Sequence, residues 1–432
     1  MAHLLIIEFP GGNDADIARA ALDRGDTFTF LTSDLSLYLA QPAIKLLLDQ
    51  AKECIEVSSF EYEEIEPVVL SAHQMLPFDA VLCLLDIRLI VAARLAHKLR
   101  LRHVDPEAAA LLRDKYLVRC RLAERGIAQP TFELAESNHD LKESVNRIGL
   151  PVLIKPADGY GSQNIAVIRY PDELDPFISP LEDMLPSNAN YGLGVRANDR
   201  LLVERFMTGN IIGCDVLSAN GRHRLLGIHE KRFFDPPSFA IRGSCFATAH
   251  PDFEVIEGYV QTLLTAVNFT WGATHIEIML TSTGPKLIEI NARLVGAKIA
   301  RLVGYAMDRS IYSDLIDVHL GHAPGAMLAQ TQPVYAVTRW IVSSKAGRLQ
   351  EVQTPNCADP RIKCMEIMKS PGDYIRPPIE NSDRIGYFMV CGESRTEVEH
   401  LAEDLVSNSR VIMQDSATDL SLATMAPLGS NP

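Results

Sequence analysis

Several features that would class a chain at once are missing or scarce here. The eight cysteines are scattered. None forms a CxxC pair, and even the closest two, Cys357 and Cys364, are spaced too widely for a zinc knuckle. That usage points to reduced, mostly buried thiols of a cytoplasmic protein and not to a disulfide frame. Positive charge is short: 41 Lys and Arg stand against 55 Asp and Glu, a formal net charge of −14. A general nucleic-acid or membrane-surface role would want a basic face, so both are excluded as the main business of the chain. The most apolar stretch, residues 78–96, is interrupted by Asp86, Arg88 and Arg94, which excludes it as a membrane span. No basic-then-apolar leader opens the chain, so no signal peptide is expected. The first glycine loop, Pro10-Gly11-Gly12, lacks the GxGxxG of a dinucleotide fingerprint. There is no internal repeat.

What remains is an ordinary globular composition, 47% hydrophobic and 22% charged over 432 residues, enough for two to four domains. Short apolar runs at 3–8, 27–32 and 81–85 alternate with helical spacing, as over 14–24. This predicts an N-terminal α/β unit with parallel strands. Asp86 falls just past the carboxyl end of its strand, where open α/β sheets hold ligands, though a helix cap is an equal use for it. Asp105-Pro106-Glu107 is a strong helix start, and one helix is expected to run to about 124 with Lys115 in its middle. A strand at 131–134, a helix at 138–148 and a strand–turn–strand from Pro151 follow. Lys155 ends an apolar run, where a buried ammonium needs an anionic partner. Beyond it Gly159, Gly161 and Ser162 form a turn whose amides can cradle phosphate oxygens, although plain hairpins also use such turns.

Residues 185–200 are polar and irregular. A strand over 201–207 is followed by a hairpin around Asn220-Gly221. Residues 232–246, rich in Phe, Pro, Gly and Ser, read as a loop over a site. Residues 230–242, with Lys231, Arg232, Phe233, Phe234 and Arg242, could bind a carboxylate or cover the site, or be an ordinary surface loop. Helices are expected at 253–267 and 298–319, and an α+β segment with strands at 335–342, 361–367 and 384–390 and a helix at 396–407. Residues 415–432 carry little to bury and read as a disordered tail.

The most informative stretch is 273–293, read as two strands joined at Thr283-Gly284-Pro285. Alternation places His275, Glu277 and Met279 on one face of the first strand, and Leu287, Glu289, Asn291 and Arg293 on one face of the second. Two carboxylates, an amide oxygen, an imidazole and a guanidinium would then share one surface. Such hard oxygen donors suit Mg²⁺, which keeps waters and substrate phosphates in its other positions. A hairpin with one wet face would also carry acids.

Taken with Lys115, Lys155 and the Glu204-Arg205-Phe206-Met207 strand, the Glu277, Glu289, Asn291, Arg293 spacing resembles the ATP-grasp superfamily, over most of the chain to about residue 325. The resemblance implies an α/β and α+β multidomain protein. Its parts are an N-terminal Rossmann-like domain (1–104), an ATP-grasp domain (105–325, with a lid subdomain at about 130–207) and a C-terminal α+β segment (326–414), followed by the tail 415–432. It implies ATP with Mg²⁺, or Mn²⁺ in its place. Lys115 and Lys155 would contact the phosphates, and Gly161 and Ser162 would lie in the loop closing over them. Glu204, Arg205 and Met207 would form the adenine hinge, largely through backbone, with Met279 packed under the base. Glu277, Glu289 and Asn291 would hold metal, and Arg293 would steady the acyl phosphate and tetrahedral intermediate, with His275 beside it. One departure stands out: where many members have an acid for the ribose hydroxyls, this chain reads Asn210-Ile211-Ile212-Gly213.

Within the superfamily, Thr-His-Ile-Glu followed by Ile-Glu-Ile-Asn-Ala-Arg-Leu-Val-Gly looks most like the bacterial L-amino-acid ligases. That implies an ATP-dependent carboxylate–amine ligase making a dipeptide from small-molecule amino-acid substrates, as in antibiotic biosynthesis. Asp86 would face a substrate amino group, and Lys231 and Arg242 would lie near substrate. No nucleic-acid or membrane partner is implied, and a homodimer is compatible. The alternatives are a biotin-carboxylase-like enzyme sharing the metal spacing, a kinase on the same scaffold, and a nucleotide-binding regulator without turnover.

Overall fold

The computed structural model describes residues 1–12, 14–159, 165–175, 200–234, 240–296, 298–322, 333–379 and 381–414. The irregular segment expected at 185–200 falls outside them apart from Arg200, and so does the tail 415–432. The chain divides into two compact units, Met1–Ile228 with Ala249–Thr331, and His229–Thr248 with Gln332–Pro432.

The first unit opens with strands β1 (His3–Ile7), β2 (Thr27–Thr32), β3 (Glu53–Glu56) and β4 (Ala80–Cys83). They form a parallel sheet in the order β3-β2-β1-β4. β1 is apolar on both faces and wholly buried, as parallel strands covered by helices on both sides must be. Asp86 opens a short 3₁₀ turn beyond β4 and does not act as its cap.

The expected single helix over 105–124 is two helices, Pro106–Leu112 and Lys115–Glu124. The break comes at Asp114, whose carboxylate accepts from the amides of Tyr116 and Leu117 and so starts a new helix. Lys115 is therefore the first residue of the second helix, not a mid-helix lysine. A second sheet follows, from β5 (Phe132–Ala135), β6 (Val152–Pro156), β7 (Ala166–Ile168) and β8 (Leu201–Arg205), ordered β5-β8-β6-β7. The helix Asn138–Ile148 packs its Leu141 and Val145 on it.

The third sheet of this unit carries β9 (Asn210–Ala219), the start of β10 (Arg222–Phe233), β12 (Gly272–Thr281) and β13 (Gly284–Asn291), while β11 (Ile241–Ala247) belongs to the second unit. Within this unit the order is β13-β12-β9 followed by the start of β10. Asn220 (φ 52°) and Gly221 (φ 73°) both take the left-handed conformation that the β9–β10 turn requires. Ile276, Ile278, Leu287 and Ile290 of the β12–β13 hairpin pack on Ile256, Val260 and Leu263 of the helix Phe253–Ala266. The helical pattern expected over 298–319 is broken at Asp308 (φ 49°) into Ala300–Met307 and Ile311–Leu320.

In the second unit, residues 232–246 are largely strand: β10 runs to Phe233 and β11 starts at Ile241, with 235–239 outside the described residues. The Phe, Pro, Gly and Ser content suggests a loop, but β11 has its own partner. It pairs antiparallel with β14 (Tyr335–Ile341). β15 (Gly347–Gln353), β16 (Ile362–Ile367), β17 (Tyr374–Ile375), β18 (Gly386–Gly392) and β19 (Arg410–Met413) complete the unit, with β14-β18-β16 in one sheet and β17-β15-β19 in another. The helix Arg395–Ser407 seats Val398, Ala402 and Leu405 on Val337, Phe388 and Val390. All eight cysteines are free, and five are half-buried where composition suggested burial. Among the described residues no helix is long and apolar enough to cross a membrane.

Candidate active site

Residues drawn from the three sheets of the first unit converge on the β12–β13 hairpin. Its register puts Glu277 directly opposite Glu289 and His275 opposite Asn291. The register then shifts: Ile278 faces Leu287, and Ile288 is the extra residue of a β-bulge. Strict alternation assigned Leu287 to the polar face. The bulge turns it into the core instead, where it is 1% exposed. The turn is also one step earlier than expected, at Ser282-Thr283, because Gly284 and Pro285 already pair with β12.

Carboxylates directly opposite across a ladder repel each other, which favours a cation between or beside them. Lys115 supplies one charge: its Nζ lies 3.4 Å from Glu289 Oε2 and also donates to the carbonyl of Gly159. Asn291 Nδ2 donates to Glu289 Oε1 at 2.8 Å. Both acids remain about a quarter exposed, 25% and 27%, so they are open to a ligand. Among the described residues no three or more His, Cys, Asp and Glu side chains gather as a metal cluster. Two carboxylates and an amide fit Mg²⁺ all the same, since that ion usually keeps waters and phosphate oxygens.

The other predicted residues sort around this pair. Arg293 Nε donates to Asp86 Oδ2 at 2.6 Å. Asp86 thus orients the guanidinium through Oδ2, and it also lines the neighbouring cleft. His275 is 3% exposed, with Nδ1 3.0 Å from Asp215 Oδ1 and Nε2 3.7 Å from Glu277 Oε1; its ring lies between two carboxylates. Met279 lies beside the segment after β8: a Cβ on Gly209 would come within 2.2 Å of Leu280 O and 3.1 Å of Met279 Cγ, so glycine is required for this approach.

Lys155 and Glu204 form an interior pair, 4% and 2% exposed. Lys155 Nζ is 2.8 Å from Glu204 Oε2, and Arg119 Nε is 2.5 Å from Glu204 Oε1. Burial pushes the Glu204 carboxyl up, but the two cations outweigh it and hold it at about 2. Burial lowers the Lys155 ammonium, with the neighbouring Arg119 and Lys115 charges adding to that against the pull of Glu204. The triad carries one cation more than it has anions, an arrangement that favours a nearby anion.

The hinge expectation changes in detail. Glu204 pairs within the sheet on both sides, with Phe132 and Leu153. The amide of Arg205 donates to Thr131 O and that of Phe206 to Pro151 O, while the Arg205 guanidinium holds the carbonyls of Ile148 and Gly149. The amides of Arg205 and Phe206 are therefore occupied at the sheet and are not the donors that would face a base. Gly161 and Ser162 lie outside the described residues. Lys231 and Arg242 belong to the second unit, where Arg242 Nη2 donates to Glu403 Oε2 at 2.8 Å. A cleft in the first unit is lined by Asp86, Lys115, Arg119, Glu289 and Asn291.

Two residues here were not singled out from the sequence. Arg119 stands four after Lys115, on the same helix face. Asp215 is a lone acid in the apolar run of β9, the same signal that marked Lys155.

Two parts of the chain match known protein families. Residues 148–301 match the ATP-grasp domain and residues 339–414 match the L-amino acid ligase C-terminal domain 2. Dapdiamide A synthase of Enterobacter agglomerans is 24% identical over 56% of this chain and 58% of its own. The L-arginine-specific L-amino acid ligase of Bacillus subtilis is 21% identical over 78% and 81%. The chain thus spans less than two thirds of the first of these relatives. In structure, the L-amino acid ligase from Bacillus licheniformis superposes with a TM-score of 0.79 at 20% identity, covering 96% of this chain and 99% of that one. The chain thus carries an ATP-grasp domain followed by an L-amino acid ligase C-terminal domain.

Proposed function

We propose that the chain is an ATP-dependent carboxylate–amine ligase that joins two amino acids into a dipeptide with release of ADP and phosphate. The observation that carries this reading is the cross-strand pair Glu277 and Glu289, backed by Asn291 and Lys115, in a chain whose C-terminal segment matches an L-amino acid ligase domain. In the reaction, a carboxylate oxygen of the first amino acid bonds to the γ-phosphorus as the bond to ADP breaks. The amine nitrogen of the second then bonds to the acyl carbon, the bond to phosphate breaks, and the ammonium proton leaves to solvent.

Glu277, Glu289 and Asn291 would hold Mg²⁺, or Mn²⁺ in its place. When bound, the ion would neutralise charge on the transferring phosphoryl group. Lys115, and Lys155 from within its pair with Glu204, would offset the same charge, and Gly161 and Ser162 would contribute to phosphate binding. Arg293, held in place by Asp86, donates to the oxyanion that develops at the acyl carbon. His275, braced by Asp215, sits at the edge of the same surface, and Met207 with Met279 flanks the adenine. Cytoplasmic location, a homodimer, and the division into domains at about 104, 325 and 414 belong to the same reading.

The test is phosphate release from ATP with pairs of amino acids, with products read by mass. Release that needs two amino acids and yields their dipeptide supports the ligase. Release that needs bicarbonate would transfer the site to a carboxylase, and nucleotide binding without turnover on any acceptor would leave a regulator.

A further inference from the structure

We propose that Arg119 is the positioning residue that holds the β13 bulge, and through it the pairing of Glu277 with Glu289. The inference rests on the reading of these two carboxylates as the Mg²⁺ ligands.

The bulge decides which way Glu289 points. Beyond it, Ile278 faces Leu287. Continued without the extra residue, that register would set Glu277 against Ile288 and Ile276 against Glu289. A one-residue slip sends each side chain to the other face. Glu289 would then turn into the core that Ile276 and Ile290 fill. The metal pair exists only while Ile288 stays looped out.

The backbone groups at the bulge find partners off the ladder, as buried peptide groups must. The amide of Leu287 donates to the Tyr259 hydroxyl at 2.9 Å. The carbonyl of Leu287 accepts from Arg119 Nη2 at 2.9 Å, and the carbonyl of Ile288 accepts from the same nitrogen at 3.3 Å. Lys155 reaches only Ile288, at 3.4 Å. Arg119 is 2% exposed, and its Nε is fixed by Glu204. One planar guanidinium thus ties the helix Lys115–Glu124, strand β8 and the bulge of β13 together. It also stands in the wall of the cleft that Lys115, Glu289 and Asn291 line. A lysine there would keep the charge opposite Glu204 but lose the fork that reaches the two carbonyls as well.

The experiment is calorimetric titration of ADP into the full chain, first with EDTA and then with saturating Mg²⁺, alongside thermal melting. Wild type binds ADP more tightly with Mg²⁺. Arg119→Lys, measured against its own affinity for ADP in EDTA, loses about 10–100-fold of the Mg²⁺-dependent gain, the size typical of residues that orient metal ligands. Glu289→Gln loses the same gain directly. A full Mg²⁺ gain in Arg119→Lys, with only the melting temperature lowered, would make Arg119 a plain core brace and overturn the proposal. Absence of any Mg²⁺ gain in wild type would instead overturn the carboxylate assignment, and the role of Arg119 with it. Should Arg119→Lys not fold, Arg119→Gln, which retains an amide donor, carries the same comparison.

Discussion

Glu204→Gln is the sharpest test of the charge arrangement behind the cleft. The side chain keeps its shape and loses its charge. In the wild type the carboxylate is 2% exposed and takes Arg119 on one oxygen and Lys155 on the other. In the variant two buried cations face each other with no anion, and the amide NH₂ must point at one of them. Removing one member of a buried ion pair costs ~3–5 kcal/mol, because the surviving charges stay desolvated. Linkage gives a similar size independently. A folded-state value of about 2 against an ordinary 4.5 is a gap of 2.5 units, worth about 3 kcal/mol. The sign follows from the depressed value: this stability is present above pH 4.5 and is lost as the pH falls towards 2. The assay is urea unfolding of wild type and variant at pH 7 and again at steps down from pH 4.5. We expect a gap of about 3 kcal/mol or more at pH 7 that narrows in acid. A gap below about 1 kcal/mol at pH 7, the value of a surface pair, would refute the buried-triad reasoning.

Glu289→Gln should abolish Mg²⁺-dependent turnover with little change in melting temperature, since the residue is partly exposed and touches no core; retained activity in a phosphate-release assay would remove it from the metal set. Arg293→Ala should lower turnover about a hundredfold or more, the usual loss for one oxyanion donor, and Asp86→Asn should lower it less, because it only releases the guanidinium from its 2.6 Å anchor; steady-state kinetics with both amino acids saturating separates the two. His319 is buried against His103, and burial lowers its imidazole to about 4. Its contribution to stability is therefore complete above pH 6.5 and lost as the pH falls towards 4, about 2 kcal/mol by pH 5. Thermal melts of wild type and His319→Gln from pH 7 to 5 check it, and equal slopes would count against this assignment.

Local rules read most of the elements. β1 and β2, the helix Asn138–Ile148 and the Asn220-Gly221 hairpin lie where hydrophobic period, caps and turn residues put them. The misses have two causes, a local break in the backbone and a partner distant in sequence. Asp114 caps a new helix inside a pattern that is helical by period alone, and Asp308 in the left-handed conformation splits another. β11 hides in a Phe- and Gly-rich stretch because its partner β14 comes almost a hundred residues later, beyond any local window.

The hairpin divides the same way. Residue types alone determined its chemistry: the Glu, Asn, Arg and His of 275–293, with lysines upstream, speak for phosphate and a hard cation whatever their exact placement. Alternation also put Glu277 and Glu289 on one face. It did so by assuming a regular ladder in which Leu287 faces the same way, and the protein reaches that pairing by another route. Ile288 is looped out, Leu287 goes to the core, and Arg119 and Lys155 hold the displaced carbonyls. Tertiary structure alone decided this, because a bulge is stable only where distant groups satisfy the backbone it frees. The same holds for Asp86, bound to Arg293 across 207 residues of sequence, and for Glu204, whose charge is spent inside the protein and not on a ligand. Such partners meet only when the sheets of the first unit pack together.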